Sequence, residues 1–197
     1  MEQYILLLIF IALGYLCGSI PFGYIISKIK KIDITKQGSG NIGATNVSRA
    51  LGFKYAFLVA LLDVSKALLP IYIAGHYISN EWFMVFVILS TAIGHLFPVW
   101  LKFKGGKAAS TAFASIIYIL NWKAFVFLAL WAIMLKLIKI MSLTNLIIIL
   151  LIPILFWLES HSIPYLILGI IYVIVIYWAH RENIKRLLKG EEKRIVK

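Results

Sequence analysis

Seven stretches of mostly apolar residues alternate along the chain with short polar or basic segments. They comprise residues 4–26, 56–77, 82–101, 108–120, 124–135, 142–158 and 163–179. A helix crosses the hydrocarbon core of a bilayer with about 20 apolar residues, and five of the stretches approach or exceed that length. The fourth and fifth stretches are shorter and are joined by a tight turn. The pattern predicts an all-α integral membrane protein with seven transmembrane helices, forming a single domain over residues 1–197.

Basic residues gather at alternate ends of these stretches. Six lie between the first two stretches, three follow the third, two follow the fifth, and seven lie in the tail that ends at Lys197. The other two are Lys66, within the second stretch, and Lys123, between the fourth and fifth. Since Lys and Arg accumulate on the cytoplasmic side of membrane proteins, we expect the N-terminus outside and the C-terminus in the cytoplasm. A model with five or six spans would bury one cluster of basic residues in the membrane, or place it on the opposite side from the other basic clusters.

Composition supports the membrane interpretation. Mean hydropathy is +0.93 and 14% of residues are charged, whereas about a quarter are charged in soluble domains. The net charge of +12 could indicate nucleic-acid binding, but basic residues at the ends of apolar stretches favour a membrane surface or an anionic substrate. The single Cys17 lies in the first stretch, which excludes a disulfide framework. That stretch is too long for a signal-peptide core, and we expect it to be retained.

Residues 38–46, Gly-Ser-Gly-Asn-Ile-Gly-Ala-Thr-Asn, form a polar interruption in this apolar chain. Unpaired backbone groups of such a segment would be costly in lipid, so it must lie in water, line a cavity or hold a ligand. Two further polar segments, residues 94–107 and 180–186, fall on the same predicted side. Glycine lets backbone amides face an anion, and Lys or Arg supplies countercharge. Each segment alone is typical of a turn or a membrane anchor, but the three together predict a phosphate-binding site.

Several familiar motifs are excluded by their context. Gly38, Gly40 and Gly43 spell G-x-G-x-x-G, but a dinucleotide site needs a βαβ unit, and here membrane helices flank the loop. Lys107 is followed by Ala108, where a Walker loop needs Ser or Thr. The chain has no G-x-S-x-G elbow, no His-Asp motif of the common glycerolipid acyltransferases, and no His pair with helical ligand spacing. We therefore expect neither a metal nor a cofactor.

Asp63 and Lys66 lie three residues apart in the second stretch. Side chains at this spacing meet on one helix face. Charged groups within a membrane span are costly and are functional candidates by default. We expect this pair to support the polar loops rather than to act directly in catalysis.

Three motifs together resemble the PlsY family. They are Gly38-Ser39-Gly40-Asn41 to Asn46 with Arg49, then Gly94-His95 with Pro98 and Phe103 to Lys107, then His180-Arg181 with Asn183 to Gly190 and Glu192. The resemblance covers the whole chain. It implies a bacterial inner-membrane acyltransferase with a cytoplasmic-face active site, which forms lysophosphatidate from acyl phosphate and glycerol 3-phosphate in the first acylation of phospholipid synthesis. The family usually has glycine after Lys107, and Ala108 is compatible there unless positive φ is required.

On this basis we predict two sets of site residues. The catalytic set is Ser39, Arg49, Lys107, His180 and Asn183. The substrate-binding set is Gly38, Gly40, Asn41, Gly43, Thr45, Asn46, His95, Lys104, Gly105, Gly106, Arg181, Arg186 and Glu192. Ser39, Asn183 and the loop amides would hydrogen-bond a phosphate or an oxyanion, and Arg49 and Lys107 would hold the phosphates. His180 would orient a group or carry a proton.

Acyl phosphate is a mixed anhydride with a good leaving group, so the glycerol hydroxyl can attack it directly. Few acids lie at this face, and the base could be a substrate phosphate. The expected partners are glycerol 3-phosphate, acyl phosphate, membrane lipid and the soluble enzyme that makes acyl phosphate, without nucleic acid. Two alternatives remain open: a transporter of an anionic phosphorylated metabolite, which would need midplane polar groups and repeats, and a membrane phosphatase or phosphotransferase.

Overall fold

The computed structural model describes residues 1–195, and the regular structure in that range is helical. The α-helices are α1 Glu2–Ser19, α2 Phe22–Ile29, α3 Ala44–Leu51, α4 Phe53–Gly75, α5 Glu81–Leu96, α6 Ala109–Leu120, α7 Lys123–Ile138, α8 Met141–Ile148, α9 Ile152–Ser160, α10 Ile163–Ala179 and α11 Arg181–Leu188. Short 3₁₀ turns lie at Ile34–Lys36, Val99–Leu101 and Ile149–Leu151. The chain forms two compact units, Met1–Ser115 and the residues from Ile116 onward. Lys197, predicted to lie in the cytoplasmic tail, is outside the described residues.

The distribution of exposed side chains is the reverse of that in a soluble protein. Leu8, Phe57 and Ile174 are 67%, 62% and 63% exposed, whereas Asp63 and Lys66 are 2% and 6% exposed. Leaving each large apolar side chain in water would forgo about 1.5–3 kcal/mol of burial free energy. In lipid the same surface is favourable, so the helices form an integral membrane protein, as the apolar pattern predicts.

Helix lengths give a lower count of membrane spans than the apolar pattern. Four described segments are long and apolar enough to cross a membrane: Glu2–Ile29, Phe53–Gly75, Glu81–Leu101 and Met141–Ser160. Helix α10 with α11, bent by 62°, raises the count to five, and α6 is apolar but shorter. At about 1.5 Å per residue, the 12 residues of α6 extend about 18 Å, less than the roughly 30 Å core. All seven predicted stretches are mainly helical, and the count of seven spans stays a prediction.

The first unit is built on the pairing of α1 with α5. Gly14 and Gly18 of α1 pack so closely on α5 that a Cβ at Gly18 would overlap the carbonyl of Thr91. Small residues four apart let membrane helices approach in this way. Helix α4 packs on α1, α2, α3 and α5. The buried side chains of Ile42 and Val47, together with Val59 of α4, fix the glycine-containing loop on this frame.

The first predicted span is interrupted in the structure. The sequence pattern predicts one helix over residues 4–26, but α1 ends at Ser19 and α2 begins at Phe22. Pro21 has no N–H to donate to the preceding turn, and Ile20 is extended, with φ −60° and ψ 116°. The Ile20 carbonyl accepts a hydrogen bond from Lys66 Nζ at 2.6 Å. A buried side chain of α4 therefore satisfies a backbone group at the break.

The second unit packs α7 on α8 and α9 on α10. The predicted stretch 142–158 consists of α8, a 3₁₀ turn and α9 rather than one regular helix. Trp131 Nε1 donates to Asn145 Oδ1 at 2.8 Å, which joins α7 to α8. Gly169 of α10 lies so close to Pro153 that a side chain there would overlap the α9 backbone. This unit carries the third polar motif at the end of α10 and in α11.

Candidate active site

The side chain of Asn46 organises the first glycine-containing loop. Asn46 is 2% exposed, and its Nδ2 donates to the carbonyls of Gln37 and Asn41 at 2.9 Å and of Ile34 at 3.3 Å. Its Oδ1 accepts from the Ser39 amide at 3.0 Å. Gly38 has φ +58°, and a Cβ there would overlap Asn46 Oδ1. Asn46 therefore holds the loop through both ends of its amide, and its predicted binding to substrate stays a prediction.

Several loop amides are used within the protein. The amides of Ser39, Gly40 and Gly43 donate to protein oxygens at 3.0, 2.8 and 2.9 Å respectively. The hypothesis that these amides bind a phosphate is therefore revised for this conformation, because each already has an acceptor. The loop acts instead as a rigid support for exposed Ser39 and for Arg49.

Asn41 links the first motif to the second. Its Nδ2 donates to the Gly105 carbonyl at 3.3 Å, and its Oδ1 accepts from the Gly43 amide at 2.9 Å. The Gly105 and Gly106 amides donate to the carbonyls at the end of α5, at 3.0 and 2.9 Å. The structure thus brings together the loop of residues 38–46 and the segment of residues 103–107.

Cationic side chains lie on the segments that meet at this junction. Arg49 lies on α3, where its Cδ is 3.9 Å from the position of a Cβ at Gly38. Lys104 is exposed and Lys107 is half-buried in the second motif. Thr45 lies in the first turn of α3 and is also half-buried. Three cations beside two glycine-containing loops form a region suited to phosphate groups.

The backbone around Lys107 is strained. Ala108 is fully buried and has φ +61°, and Lys102 and Phe103 have φ +52° and +61°. An L-residue with a Cβ loses roughly 1–2 kcal/mol in this left-handed region. The position after Lys107 therefore does require positive φ, and Ala108 occupies it at a cost that glycine would avoid. Strain of this kind is concentrated at functional sites.

A buried polar cluster lies beneath the second motif. Lys66 Nζ is 2.7 Å from Asp63 Oδ1 and 3.0 Å from His95 Nδ1. His95 is 4% exposed, and a side chain at Gly106 would overlap its Nε2. Both ring nitrogens of His95 thus face protein groups, a placement that suits a supporting role, and its binding to substrate stays a prediction. The supporting role of Asp63 and Lys66 stays a prediction, and their contacts are those described here.

The third motif is organised by Glu192 within the second unit. Glu192 is 8% exposed; its Oε1 accepts from Asn183 Nδ2 at 2.8 Å and Ser142 Oγ at 3.0 Å, and its Oε2 accepts from Arg186 Nε at 2.6 Å. Burial raises the pKa of the Glu192 carboxyl, but the hydrogen bonds from Arg186, Asn183 and Ser142 outweigh it and hold the pKa below its ordinary value. Glu192 therefore positions Asn183 and Arg186, and its predicted binding to substrate stays a prediction.

His180 and Arg181 lie at the bend between α10 and α11. His180 is 3% exposed, and its Nδ1 lies 2.8 Å from the Ile176 carbonyl. Because a carbonyl only accepts, Nδ1 carries the hydrogen and Nε2 is the acceptor of the neutral ring. Arg181 is exposed, with its guanidinium over the Trp178 ring at 4.7 Å. The tautomer of His180 is compatible with the predicted role in orienting a group or accepting a proton.

Sequence reasoning missed two contributors to these motifs. Ser142 lies in an apolar stretch that matches no motif, and the Ile20 carbonyl belongs to a backbone break. Residue type alone does not indicate the role of either group, although Pro21 could have indicated the break in the helix. Residues 1–195 contain no group of three or more His, Cys, Asp or Glu residues arranged to hold a metal ion.

Comparisons with known proteins agree on one family. A model of the glycerol-3-phosphate acyltransferase family matches residues 8–190. The chain is 42% identical over 194 residues to a glycerol-3-phosphate acyltransferase of Prochlorococcus marinus (strain NATL1A), covering 95% of this chain and 98% of that protein. It is 38% identical over 195 residues to one of Anaeromyxobacter dehalogenans (strain 2CP-C), covering 95% and 96%.

Solved structures give the same result. The crystal structure of PlsY (YgiH), an integral membrane glycerol 3-phosphate acyltransferase, in its glycerol 3-phosphate form matches with a TM-score of 0.90 at 35% identity. The alignment covers 95% of this chain and 94% of that one. The lysophosphatidic acid form matches with a TM-score of 0.88, also at 35% identity.

Proposed function

This chain belongs to the glycerol-3-phosphate acyltransferase family, and from that membership we propose that it transfers a fatty acyl group from acyl phosphate to glycerol 3-phosphate. The products are lysophosphatidate and inorganic phosphate. Family membership favours an acyltransferase over a transporter or a phosphatase. The observation that carries the proposal is the hydrogen bond from Asn41 to Gly105, which joins the glycine-containing loop to the basic segment of residues 103–107.

The reaction needs positioning more than covalent chemistry. The glycerol hydroxyl oxygen attacks the acyl carbon, the bond from that carbon to the phosphate oxygen breaks, and the hydroxyl proton leaves with a base. Arg49 and Lys107, with Lys104 nearby, offset the repulsion between two phosphate-bearing substrates. Ser39, His180 and Asn183 complete the catalytic set, and Arg181 belongs to the substrate-binding set. Holding the reactants together accounts for much of the rate enhancement in such a reaction.

Three acids, Asp33, Asp63 and Glu192, are poorly suited to act as the general base. A hydrogen bond from the Thr35 hydroxyl holds the pKa of the Asp33 carboxyl below its ordinary value, and Glu192 accepts three hydrogen bonds that lower its pKa. Asp63 is paired with Lys66. An efficient base has a pKa near the operating pH. These observations support a phosphate of the substrate as the base.

The proposed setting is a bacterial inner membrane. Seven spans, an N-terminus outside and a C-terminus inside would put all three polar motifs at the cytoplasmic face, where glycerol 3-phosphate is available. Residues 1–197 would then act as a single catalytic domain. Acyl phosphate would come from a soluble enzyme at that face, and the acyl chain would lie against apolar helix surfaces. The distribution of basic residues supports this orientation.

The phosphate-binding role is tested by removing single cations. Arg49→Ala and Lys107→Ala should each lower the rate of lysophosphatidate formation in reconstituted vesicles at least about 100-fold, because a preorganised charge on a reacting group is worth that much. Lys54→Ala is the matched control, since it removes an exposed charge from the same basic segment outside the site. Wild-type rates for either site variant, in folded protein, would contradict the assignment.

A further inference from the structure

The Lys66 ammonium is surrounded by acceptors from three parts of the first unit. Its Nζ lies 2.6 Å from the Ile20 carbonyl, 2.7 Å from Asp63 Oδ1 and 3.0 Å from His95 Nδ1. An ammonium group has three hydrogens, and three acceptors lie within reach of it. The Lys66 and Asp63 side chains are each 2% exposed. This cluster, which we call the Lys66 cluster, consists of Ile20, Asp63, Lys66 and His95.

The cluster joins three helical segments of the first unit. Ile20 lies at the break between α1 and α2, Asp63 and Lys66 lie on α4, and His95 lies at the end of α5. A buried charge in a membrane span is costly, even when it is paired. Helix packing alone could be achieved with apolar residues. These buried charges therefore indicate a role for the cluster other than helix packing.

Lys66 determines which nitrogen of His95 carries the hydrogen. An ammonium can only donate, so His95 Nδ1 accepts, and the hydrogen of the neutral ring lies on Nε2. Nε2 faces Gly106, where a Cβ would overlap the ring. The Gly106 amide also donates to the His95 carbonyl at 2.9 Å. His95 therefore contacts Gly106, the residue before Lys107, through both its ring and its backbone.

We infer that Lys66 and His95 are positioning residues for acyl transfer. Lys66 fixes the orientation and tautomer of His95, and His95 holds the Gly105-Gly106 backbone so that Lys107 is presented to a substrate phosphate. The same backbone receives the hydrogen bond from Asn41, so its displacement also disturbs the link between the motifs. The inference rests on the proposed role of Lys107. It assigns the buried charges in the second span a function in the reaction.

The first test is a pair of substitutions that separate the two sides of the imidazole ring. His95→Asn keeps a polar atom near the Nδ1 position for Lys66 but removes the contact with Gly106. His95→Gln reaches the Nε2 position with an amide donor. We expect His95→Asn to lower kcat/KM for glycerol 3-phosphate by about 10- to 100-fold, since small misplacements have effects of this size, and His95→Gln to lose less. Equal losses in the two variants would overturn the inference.

A double-mutant cycle shows whether His95 acts through Lys107. In a Lys107→Arg background, which keeps the cation in a different geometry, His95→Asn should lower kcat/KM by less than about threefold, because coupled residues are not additive. Independent, multiplying losses would contradict the inference. Thr91→Val is the control, since Thr91 is buried on α5 and bonds to the Ile88 carbonyl within that helix. We expect its kcat/KM to stay near wild type.

A second measurement does not depend on turnover. In the full-length protein, Asp63→Asn combined with Lys66→Met removes both charges without leaving one unpaired. We expect hydrogen exchange at the Gly105 and Gly106 amides to become at least about tenfold faster while exchange in α1 is unchanged. Unchanged exchange at these amides would overturn the inference. An inactive wild-type protein would instead refute the proposed function, so the two failures are distinguishable.

Discussion

Ala108 occupies a position at which the family usually has glycine, and this difference has a structural consequence. The position requires positive φ and the Ala108 side chain is buried. Ala108→Gly should remove about 1–2 kcal/mol of backbone strain and lose about 0.8 kcal/mol of methyl burial. The greater entropy of the unfolded chain with glycine offsets about 0.4–1 kcal/mol more. The free energy of unfolding, measured by thermal unfolding in detergent, should therefore change by less than about 1 kcal/mol. Ala112→Gly, in the interior of α6, should lower it instead by about 1 kcal/mol or more. Equal destabilisation by both substitutions would contradict the account.

Glu192 gives the tail a defined response to acid. Its pKa is held below the ordinary value of 4.5, so its hydrogen bonds contribute stability that is fully present above that pH. The contribution falls as the pH drops from about 4.5 through the lower pKa of the folded state. We expect hydrogen exchange in α11 to rise over this window in the wild type, and to rise less in Glu192→Gln. Identical pH profiles for the two proteins would refute this role.

At the residue scale, the motifs indicate which residue types are present but not whether each side chain is exposed. Asn46, His95 and Glu192 all lie in the predicted motifs, and all three are buried with their polar atoms on protein groups. Residues that support a site and residues that bind substrate have the same chemistry, so a motif cannot separate them. Only the tertiary partners of each side chain reveal the difference.

The loop of residues 38–46 depends on Asn46 as a single internal support. Asn46→Ala removes hydrogen bonds to four backbone groups, and unpaired buried groups cost about 1–3 kcal/mol each. We expect a lower unfolding temperature and a kcat/KM reduced at least about tenfold, because Ser39 and Arg49 lose their fixed support. Asn80→Ala, which removes the N-cap of α5, should cost about 1 kcal/mol and leave kcat/KM near wild type. A fully active Asn46→Ala protein would contradict the supporting role.

At the element scale, apolar length predicted where helices lie but not where they break. Pro21 ends a helix, whereas Pro70 lies within α4. Both lack an N–H, and the difference is in what surrounds each residue. Next to Pro21, the Ile20 carbonyl accepts a hydrogen bond from Lys66 of another helix, in addition to one from the Phe22 amide. Such a partner distant in sequence is invisible to a local rule, as is the 3₁₀ turn between α8 and α9.

The orientation of the whole molecule is open to a direct labelling test. In a Cys17→Ser background, single cysteines are introduced as Ser79→Cys and Asn121→Cys on the predicted outer side, and as Lys36→Cys and Lys189→Cys on the predicted inner side. A thiol reagent that cannot cross membranes should label the first pair in intact cells, and the second pair only after permeabilisation. The reverse pattern, or labelling of all four, would contradict seven spans with an outer N-terminus.

For the whole molecule, the charge pattern and the helix lengths give different counts of membrane spans. The helices of residues 1–195 give four or five spans by length and composition, because α6 is short and other segments are bent or broken. The placement of basic residues depends only on membrane sidedness and predicts seven. Positions of α-helices follow from hydropathy, whereas the assembly of the site depends on contacts such as Asn41 with Gly105.

Acyl transfer from acyl phosphate to glycerol 3-phosphate can be measured with two acyl donors side by side. Purified full-length protein in vesicles is incubated with glycerol 3-phosphate and either acyl phosphate or acyl-CoA, and lysophosphatidate and inorganic phosphate are quantified. We expect equal amounts of both products from acyl phosphate, and no lysophosphatidate from acyl-CoA. Absence of lysophosphatidate with acyl phosphate, from folded protein, would contradict the proposed function.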